Sequence, residues 1–341
     1  MHQAVATTSG TIEVKDVEVP RFASDEILVR SVLVGICGSD THAMSGDHPF
    51  LYPPYVPGHE AVGLVEKVGA EVDGISTGDR VLLKPNLTCG KCKNCQAGRT
   101  NACQELRWIG CDPSGELAGA MAEYFVAPAT NLFVLPANVS DETGVLVECL
   151  STPVHAVAQA GDLRGSKIVI VGAGTIGLLT LVAALHAGAE TAVIIDMDPG
   201  KIDRALGQGA TAGVLSTAER SPVDEVLEIL GSGADVVFDC VAHEATVDQA
   251  LHMLRRSGSL MIVGVPPRTF NVALPLVQDW EIRIQGCAAY TGADIENALE
   301  IAKAGLLPTE AIVTERYSLQ DANAAFEAAS KNSSGKVLVA C

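Results

Sequence analysis

One short stretch, CGKCKNCQAGRTNAC, holds four of the ten cysteines in the chain: Cys89, Cys92, Cys95 and Cys103. Two residues separate each of the first three cysteines from the next, and a longer segment leads to the fourth, so the loop can place four thiolates around one metal ion. Structural zinc prefers this ligand set in tetrahedral geometry. An iron–sulfur cluster is the alternative, but the bacterial ferredoxin pattern ends in a three-residue gap before proline, whereas seven residues separate Cys95 from Cys103. A closed four-ligand zinc holds structure, so a catalytic centre must be sought elsewhere.

A glycine pattern, GAGTIG, comes directly after the apolar run KIVIV and opens the run TIGLLTLVAALHAG. Its first glycine permits a tight turn, its second lets the backbone approach a pyrophosphate, and its third lets a helix pack closely on a strand. The N–H groups at the start of the helix favour the phosphate anion. A packing turn without a ligand is the alternative. We predict a dinucleotide site whose contacts come from Gly172, Gly174, Thr175, Ile176 and Gly177.

An acidic residue ends the next apolar run, TAVIID, about twenty residues beyond the glycines. At this place the carboxylate of Asp196 can accept hydrogen bonds from the adenine-ribose hydroxyls, and it would repel a 2′-phosphate. We therefore predict NAD rather than NADP. Lys201 and Arg204 follow a few residues later, and NADP remains an alternative because a cation here can bind the 2′-phosphate. Lys201 is included among the predicted cofactor contacts.

The chain has 341 residues, a length that suggests two domains. The pattern of apolar residues also changes from the first part of the chain to the second. Early β-rich segments, such as EILVRSVLVGI and DRVLLKP, are separated by glycine and proline. Later apolar runs, such as KIVIV and ADVVFDCV, alternate with helix-like stretches, which is typical of a parallel sheet with crossover helices. We predict an α/β chain with a β-rich domain at residues 1–151 and 287–341, its cysteine loop near 86–106, and a doubly wound parallel-sheet domain at 152–286.

Composition favours a small-molecule partner. The formal net charge is −18, with 41 acidic and 23 basic residues, which argues against binding to nucleic acid or to an anionic membrane. The N-terminal segment has no basic start followed by an apolar core, so we expect a cytoplasmic protein whose cysteines are reduced thiols rather than disulfides.

Four stretches in a fixed order carry a resemblance to a known family: GICGSDTH, PGHEAVGLVEKVG, CGKCKNCQAGRTNAC and GAGTIG. Over essentially its whole length the chain resembles the zinc-dependent medium-chain dehydrogenases and reductases, with most similarity to the sorbitol, polyol and threonine dehydrogenase branch. The resemblance implies a GroES-like catalytic domain, a Rossmann NAD-binding domain, two zinc ions per chain, and a homodimer or homotetramer.

The resemblance also implies a ligand set for a catalytic zinc. Cys37 and His59 match the first two ligands, and Glu148, in LVECLSTPVHA, matches the glutamate of the polyol branch. Cys149 remains an alternative because zinc accepts thiolate readily. Glu60, directly after the histidine, is expected to be an accessory near the metal, since a further anion would weaken the zinc as a Lewis acid.

Two further residues match the proton relay of the family, namely Ser39 and His42 in CGSDTH. Imidazole suits proton transfer near neutral pH, although a surface histidine without a role is the alternative. Asp40 matches the residue that orients the ligand histidine.

We therefore expect oxidation of a secondary alcohol, such as a sugar, polyol or cyclitol, to a ketone with NAD. The chain departs from the polyol pattern where many members carry an arginine beside an aromatic residue, because Ala289 stands beside Tyr290 here. A dehydrogenase of a simple diol or an amino alcohol such as threonine, a zinc-free reductase of activated double bonds, and a non-catalytic NAD-sensing relative are the alternatives.

Overall fold

The computed structural model describes residues 1–8, 10–217, 220–266, 268–331 and 335–341. Its strands are β1 (His2–Ala6), β2 (Ile12–Asp16), β3 (Glu26–Gly35), β4 (Glu60–Val68), β5 (Arg80–Leu83), β6 (Asn86–Leu87), β7 (Arg107–Trp108), β8 (Tyr124–Pro128), β9 (Leu132–Val134), β10 (Lys167–Val171), β11 (Thr191–Asp196), β12 (Ala212–Leu215), β13 (Ala234–Asp239), β14 (Leu254–Ile262), β15 (Arg283–Gly286), β16 (Val313–Ser318) and β17 (Lys336–Ala340). Its α-helices are α1 (Gly38–Ser45), α2 (Lys93–Gln96), α3 (Asp141–Ala160), α4 (Thr175–His186), α5 (Pro199–Leu206), α6 (Val223–Leu230), α7 (Glu244–Met253), α8 (Leu274–Asp279), α9 (Gly292–Lys303), α10 (Thr309–Ile312) and α11 (Ala322–Lys331).

Two compact units make up the chain. The first comprises Met1–Cys149 and Thr291–Cys341, and the second comprises Leu150–Tyr290. Within the described ranges, no helix combines the length and the apolar character that crossing a bilayer requires. The apolar run after the glycine motif forms α4, a twelve-residue helix of the second unit.

The first unit is built on a seven-stranded mixed sheet with the order β16-β17-β3-β4-β5-β9, and β8 also pairs with β3. The central strand β3 is mostly apolar, and most of its residues are buried. Its antiparallel pairing with β4 places Gly35 opposite Glu60, and its antiparallel pairing with β17 places Gly35 opposite Leu338. The last residues of the chain therefore lie beside the strand that leads into the GICGSD stretch.

A long helix, α3, was not expected at the end of the β-rich part of the sequence. Ser140 precedes it, and its hydroxyl oxygen accepts a hydrogen bond from the N–H of Thr143 at 3.2 Å. Asp141 and Glu142 add negative charge to the first turn, which the helix dipole favours. The apolar residues of VLVECL are buried. The segment is helical because this cap and this buried face outweigh its β-branched residues.

The second unit has a six-stranded sheet with the order β12-β11-β10-β13-β14-β15, in which every pairing is parallel. The chain moves outward from β10 to β12 and then crosses back to β13. This doubly wound order confirms the predicted Rossmann architecture, and it creates the switch point at which such sheets bind ligands beyond the carboxyl ends of the strands.

Candidate metal and cofactor sites

The cysteine loop brings four sulfur atoms together. The Sγ atoms of Cys89, Cys92, Cys95 and Cys103 all lie within 4.8 Å of one another. Cys92 precedes α2, and its sulfur accepts a hydrogen bond from the N–H of Cys95 at 3.5 Å. The sulfur of Cys103 accepts from the N–H of Cys89 at 3.3 Å and from that of Glu105 at 3.4 Å. The loop backbone thus directs N–H groups at the sulfur cluster.

These N–H groups favour the thiolate form of two of the cysteines. The N–H groups of Gln104 and Cys95 lower the pKa of Cys92 to about 6. The N–H of Cys89 also lowers the pKa of Cys103. Desolvation, followed by contacts with the other sulfurs, raises the pKa of Cys95 to about 12. Thiolate is the form that binds a metal, and four crowded thiolates require a cation, so this donor set fits a four-coordinate zinc.

A second group of potential ligands lies at the ends of β3 and β4. The ligand atoms of Cys37, His59 and Glu60 all lie within 4.8 Å of one another. His59 is 4% exposed and Glu60 is 2% exposed, so both are held in the interior of the first unit. Cys37 caps α1, where the Asp40 carboxylate accepts a hydrogen bond from the N–H of Cys37 at 3.3 Å. This local cap fixes the thiol at the start of the helix.

Two side chains approach the Nδ1 atom of His59, and a third contacts its ring. It lies 3.8 Å from the Asp40 carboxylate and 3.2 Å from the sulfur of Cys111, and the ring packs edge-to-face against Trp108. Asp40 is fully buried and accepts a hydrogen bond from the Tyr55 hydroxyl at 2.9 Å. Burial lowers the pKa of His59, but Cys111, Asp40 and Cys37 together raise it well above its usual value. Asp40 therefore lies where the resemblance predicts an orienting carboxylate.

The predicted third ligand comes from α3. Glu148 and Cys149 are both buried, and their ligand atoms lie within 4.8 Å of each other and of a Glu60 oxygen. In the described part of the chain, no group at this spacing contains Glu148 together with Cys37 and His59. Glu60 lies between the two groups and belongs to both. Burial and the Glu60 carboxylate raise the pKa of Cys149 well above its usual value, which keeps it a thiol.

Lys336 was not predicted as a site residue. Its Nζ atom lies 2.7 and 2.8 Å from the two carboxylate oxygens of Glu60, deep in the first unit. Burial acts to raise the pKa of Glu60, but Lys336 and His59 hold it below its usual value. The sequence offered one signal, a single lysine at the start of the apolar run KVLVA. Cys111 and Tyr55 were also missed, because nothing local in the sequence relates them to His59.

The two predicted relay residues lie on α1, three positions apart. Ser39 is half-buried and His42 is exposed. Residues at this spacing share a helix face, so both extend from the helix that Cys37 caps. The exposed imidazole of His42 can exchange protons with water, which the last group of a proton relay must do.

The glycine motif forms the turn between β10 and α4. Gly172 has a φ of +92°, which side chains rarely adopt, and a Cβ atom at Gly177 would lie 1.7 Å from the Gly172 carbonyl oxygen. Both positions therefore require glycine. A Cβ atom at Gly174 would meet no atom of the described chain within 4 Å, so the turn leaves room for a group to approach its backbone. Thr175 and Ile176 open α4, where N–H groups lack helical partners.

Asp196 ends β11 beside this turn. Its Oδ2 atom accepts from the N–H of Ala173 at 2.7 Å, and its Oδ1 atom accepts from the N–H groups of Met197 and Asp198 at 2.8 and 3.0 Å. Three backbone donors thus fix the carboxylate, which retains acceptor capacity for hydroxyl groups. Lys201 lies in the following helix, α5. The site has the turn, the helix start and the carboxylate that a dinucleotide requires.

Two family profiles match the chain. The family described as "Alcohol dehydrogenase GroES-like domain" matches residues 23–137, and the family described as "Zinc-binding dehydrogenase" matches residues 175–304. The first match contains Cys37, His59 and the cysteine loop, and the second begins inside the glycine motif.

Individual relatives are similar over nearly the whole chain. Sorbitol dehydrogenase of Bacillus subtilis (strain 168) is 33% identical over 346 residues, covering 99% of this chain and 97% of the relative. L-idonate 5-dehydrogenase of Vitis vinifera is 32% identical, covering 94% of this chain and 89% of the relative. A structure described as a zinc-binding dehydrogenase from Sinorhizobium meliloti 1021, bound to NADP, is 31% identical with a TM-score of 0.90, covering 100% of this chain and 99% of that chain. The chain therefore belongs to the zinc-dependent medium-chain alcohol and polyol dehydrogenases.

Proposed function

We propose that this protein oxidises a secondary alcohol of a sugar, polyol or cyclitol to a ketone, with NAD as hydride acceptor and one catalytic zinc per chain. The observation that carries the proposal is the buried group around Cys37 and His59, in a chain that is similar to a sorbitol dehydrogenase over nearly its whole length. The reverse reduction uses the same groups.

The donor chemistry supports a zinc at this group. Cys37 supplies a sulfur, His59 a nitrogen, and the neighbouring glutamates an oxygen, which are the three ligand types of catalytic zinc sites. Glu148 is the proposed third ligand. Cys149, beside it in α3, is the alternative ligand because zinc accepts thiolate readily. Glu60 is already engaged by Lys336 and is proposed as an accessory.

The reaction divides between the bound groups and the side chains of the protein. Zinc supplies a Lewis acid that polarises the oxygen of the substrate, and NAD supplies the acceptor of the hydride. Asp40 holds the orientation of His59. The Ser39 hydroxyl accepts the proton that the alcohol loses and at the same time gives up its own proton to the relay that ends at His42. His42, exposed on the same helix, passes that proton to water. His59 and Glu148 are buried and Cys37 is partly buried, so protein surrounds much of the metal position.

The cofactor preference rests on the environment of Asp196. A carboxylate fixed by three backbone N–H groups cannot move aside, so it would repel the 2′-phosphate of NADP. The Sinorhizobium meliloti relative was solved with NADP, so cofactor use must be measured in this chain. We propose NAD, with Lys201 as a further contact of the cofactor.

The substrate class is proposed from the relatives. Their names include sorbitol dehydrogenase and L-idonate 5-dehydrogenase, and both substrates carry several hydroxyl groups. The experiment is a panel of sugar alcohols, inositols, diols and amino alcohols, with NADH formation followed by absorbance. We expect turnover of a polyhydroxylated secondary alcohol. Turnover of threonine or simple diols alone would contradict the proposed substrate class.

A variant tests the metal ligand. Cys37→Ser should abolish turnover and remove one of two zinc ions per chain, while NAD binding persists. Cys341→Ser is the matched control, because Cys341 lies in the same unit outside both sulfur groups, and it should retain activity and both ions. Full activity of Cys37→Ser would refute the ligand role.

We also propose that the protein acts in the cytoplasm as a homodimer or homotetramer. The ten unpaired cysteines, four of them in a zinc-binding arrangement, support a reducing compartment. The resemblance to the family supports the assembly, and light scattering coupled to size-exclusion chromatography measures it.

A further inference from the structure

Cys111 lies beside the histidine of the proposed zinc site, and the roles assigned above do not use it. Its Sγ atom is 3.2 Å from the Nδ1 atom of His59. The Asp40 carboxylate lies 3.8 Å from the same nitrogen, which is too far for a hydrogen bond. The two oxygens of Asp40 accept instead from the Tyr55 hydroxyl and the Cys37 N–H. The sulfur of Cys111 is therefore the nearer acceptor for Nδ1.

The loop that carries Cys111 is fastened to the segment that leads into His59. Three backbone hydrogen bonds of 2.8–3.0 Å join the two: Gly119 donates to Val56, Ala120 to Gly58 and Met121 to Pro57. A Cβ atom at Gly110 would lie 2.8 Å from the carbonyl carbon and oxygen of Gly58, so the two backbones touch one residue before each of the two side chains. The fold thus fixes the sulfur relative to the imidazole.

The turn beyond Cys111 is also held in place. The carboxylate of Asp112 accepts from the N–H groups of Ser114 and Leu117, each at 3.0 Å. It also accepts from the guanidinium of Arg107 at 3.0 Å. The Cys111 side chain itself is half-buried and packs against the apolar core of the first unit. Its sulfur is therefore held by its own turn as well as by the segment that leads into His59.

A metal-bound imidazole needs an acceptor for its second nitrogen. When Nε2 binds a metal, Nδ1 carries a hydrogen, and the group that accepts this hydrogen fixes the tautomer and the direction of the ring. The Nδ1 atom of His59 faces Cys111, so Nε2 is the nitrogen that remains for zinc. A thiol sulfur is a weak acceptor, but the nearby charge of Asp40 also favours a hydrogen on Nδ1.

We propose that Cys111 is a positioning residue whose sulfur accepts the Nδ1 hydrogen of His59 and thereby directs the Nε2 atom at the catalytic zinc. This inference rests on the proposed function. Asp40 assists with its charge from 3.8 Å, whereas the sulfur makes the direct contact. The family resemblance predicts an orienting role for Asp40, and Cys111 shares that role.

The first test measures the affinity of the full-length protein for zinc by competition with a chromophoric chelator, without NAD or substrate. Cys37→Ser identifies the zinc that belongs to the catalytic site. Cys111→Val removes the acceptor but fills the space, and it should raise the Kd for this zinc about tenfold or more, because the Nδ1 hydrogen loses its partner. The affinity of the cysteine loop should stay the same. An unchanged Kd at the catalytic site would overturn the proposal.

A conservative variant separates the hydrogen bond from packing. Cys111→Ser keeps an acceptor at this position, since a hydroxyl oxygen also accepts hydrogen bonds, so its Kd for the catalytic zinc should stay within about threefold of the wild-type value. If serine weakens the zinc as much as valine does, the fit of the side chain matters rather than its acceptor, and the proposal is wrong.

The control removes another half-buried cysteine of the same unit. Cys341 packs against the same apolar core, and its sulfur lies 3.9 Å from the carbonyl oxygen of Ala120 rather than beside an imidazole. Cys341→Val should leave the Kd of the catalytic zinc unchanged. An equal loss in this variant would show that any such cysteine loosens the unit, and it would refute the specific role of Cys111.

A measurement on the wild-type protein decides the question if Cys111→Val does not fold. In zinc-loaded protein labelled with 15N-histidine, nuclear magnetic resonance should show hydrogen on Nδ1 of His59 and metal on Nε2. The reverse assignment would overturn the proposal. A wild-type protein with zinc in the cysteine loop alone would show that the proposed function has failed. Two zinc ions together with an unchanged Kd in Cys111→Val would show that this inference alone has failed.

Discussion

Replacing Asp40 by asparagine should loosen the catalytic zinc without removing a ligand. Asp40 is fully buried, and its two oxygens accept from the Tyr55 hydroxyl at 2.9 Å and from the Cys37 N–H at 3.3 Å. One oxygen also lies 3.8 Å from the Nδ1 atom of His59. The carboxylate therefore contacts the residues on both sides of the metal position.

The size of the effect follows from the number of donors that Asp40 serves. Asparagine has one acceptor oxygen, so it can satisfy only one of the two donors, and it brings no negative charge to His59. The loss of one hydrogen bond to a charged group costs about 1.5–3 kcal/mol. This corresponds to a Kd for the catalytic zinc that is weaker by about 10- to 100-fold, the usual effect of altering a partner of a metal ligand.

The assay is competition for zinc between the protein and a chromophoric chelator. The cysteine loop provides an internal control, because its zinc affinity should not change in Asp40→Asn. Asp47→Asn provides a matched variant, since Asp47 is exposed just beyond the same helix. An unchanged affinity at the catalytic site would refute the orienting role of Asp40, and an equal loss at both sites would show general unfolding instead.

Two further predictions concern the cofactor and the cysteine loop. Asp196→Asn should lower the ratio of kcat/KM for NAD over NADP about tenfold or more, because the charge that repels the 2′-phosphate is removed. The control is Asp203→Asn at an exposed position, which should leave this ratio unchanged. An unchanged ratio in Asp196→Asn would contradict the ribose contact. In zinc-free protein near neutral pH, iodoacetamide should alkylate Cys92, with its pKa lowered to about 6, before Cys95, with its pKa raised to about 12. The reactive thiolate of Cys92 exists above the pKa of this residue and is lost below it. A shift from about pH 7 to about pH 5 should therefore slow its alkylation about tenfold. Equal alkylation rates for Cys92 and Cys95, measured by peptide mapping, would contradict the predicted order.

Local patterns made much of the fold predictable. The runs EILVRSVLVGI, EAVGLVEKVG and DRVLLKP form β3, β4 and β5, and KIVIV, TAVIID and ADVVFDCV form parallel strands of the second unit. The stretch DIENALEIAK lies within α9. These segments are short-range features, in which the period of apolar residues and the neighbouring turns determine the structure. The glycine motif was predictable for the same reason, since its conformation depends on its own residues.

Long-range pairing was not predictable. The ion pair of Lys336 and Glu60 joins positions that are 276 residues apart, and it depends on the register of three strands as well as on the missing side chain of Gly35. The contact of Cys111 with His59 likewise follows from the path of a loop. The order of ligands along the chain indicates a zinc site, but only the folded sheet shows that Glu60 lies between Cys37 and Glu148.

Anomalous diffraction at the zinc absorption edge tests the central claim most directly. In crystals of the zinc-loaded protein, we expect two zinc peaks per chain. One should lie among the four sulfurs of the cysteine loop, and the other about 2.0–2.3 Å from atoms of Cys37, His59 and Glu148. A single peak in the cysteine loop, or a second peak that none of these three residues contacts, would contradict the catalytic zinc.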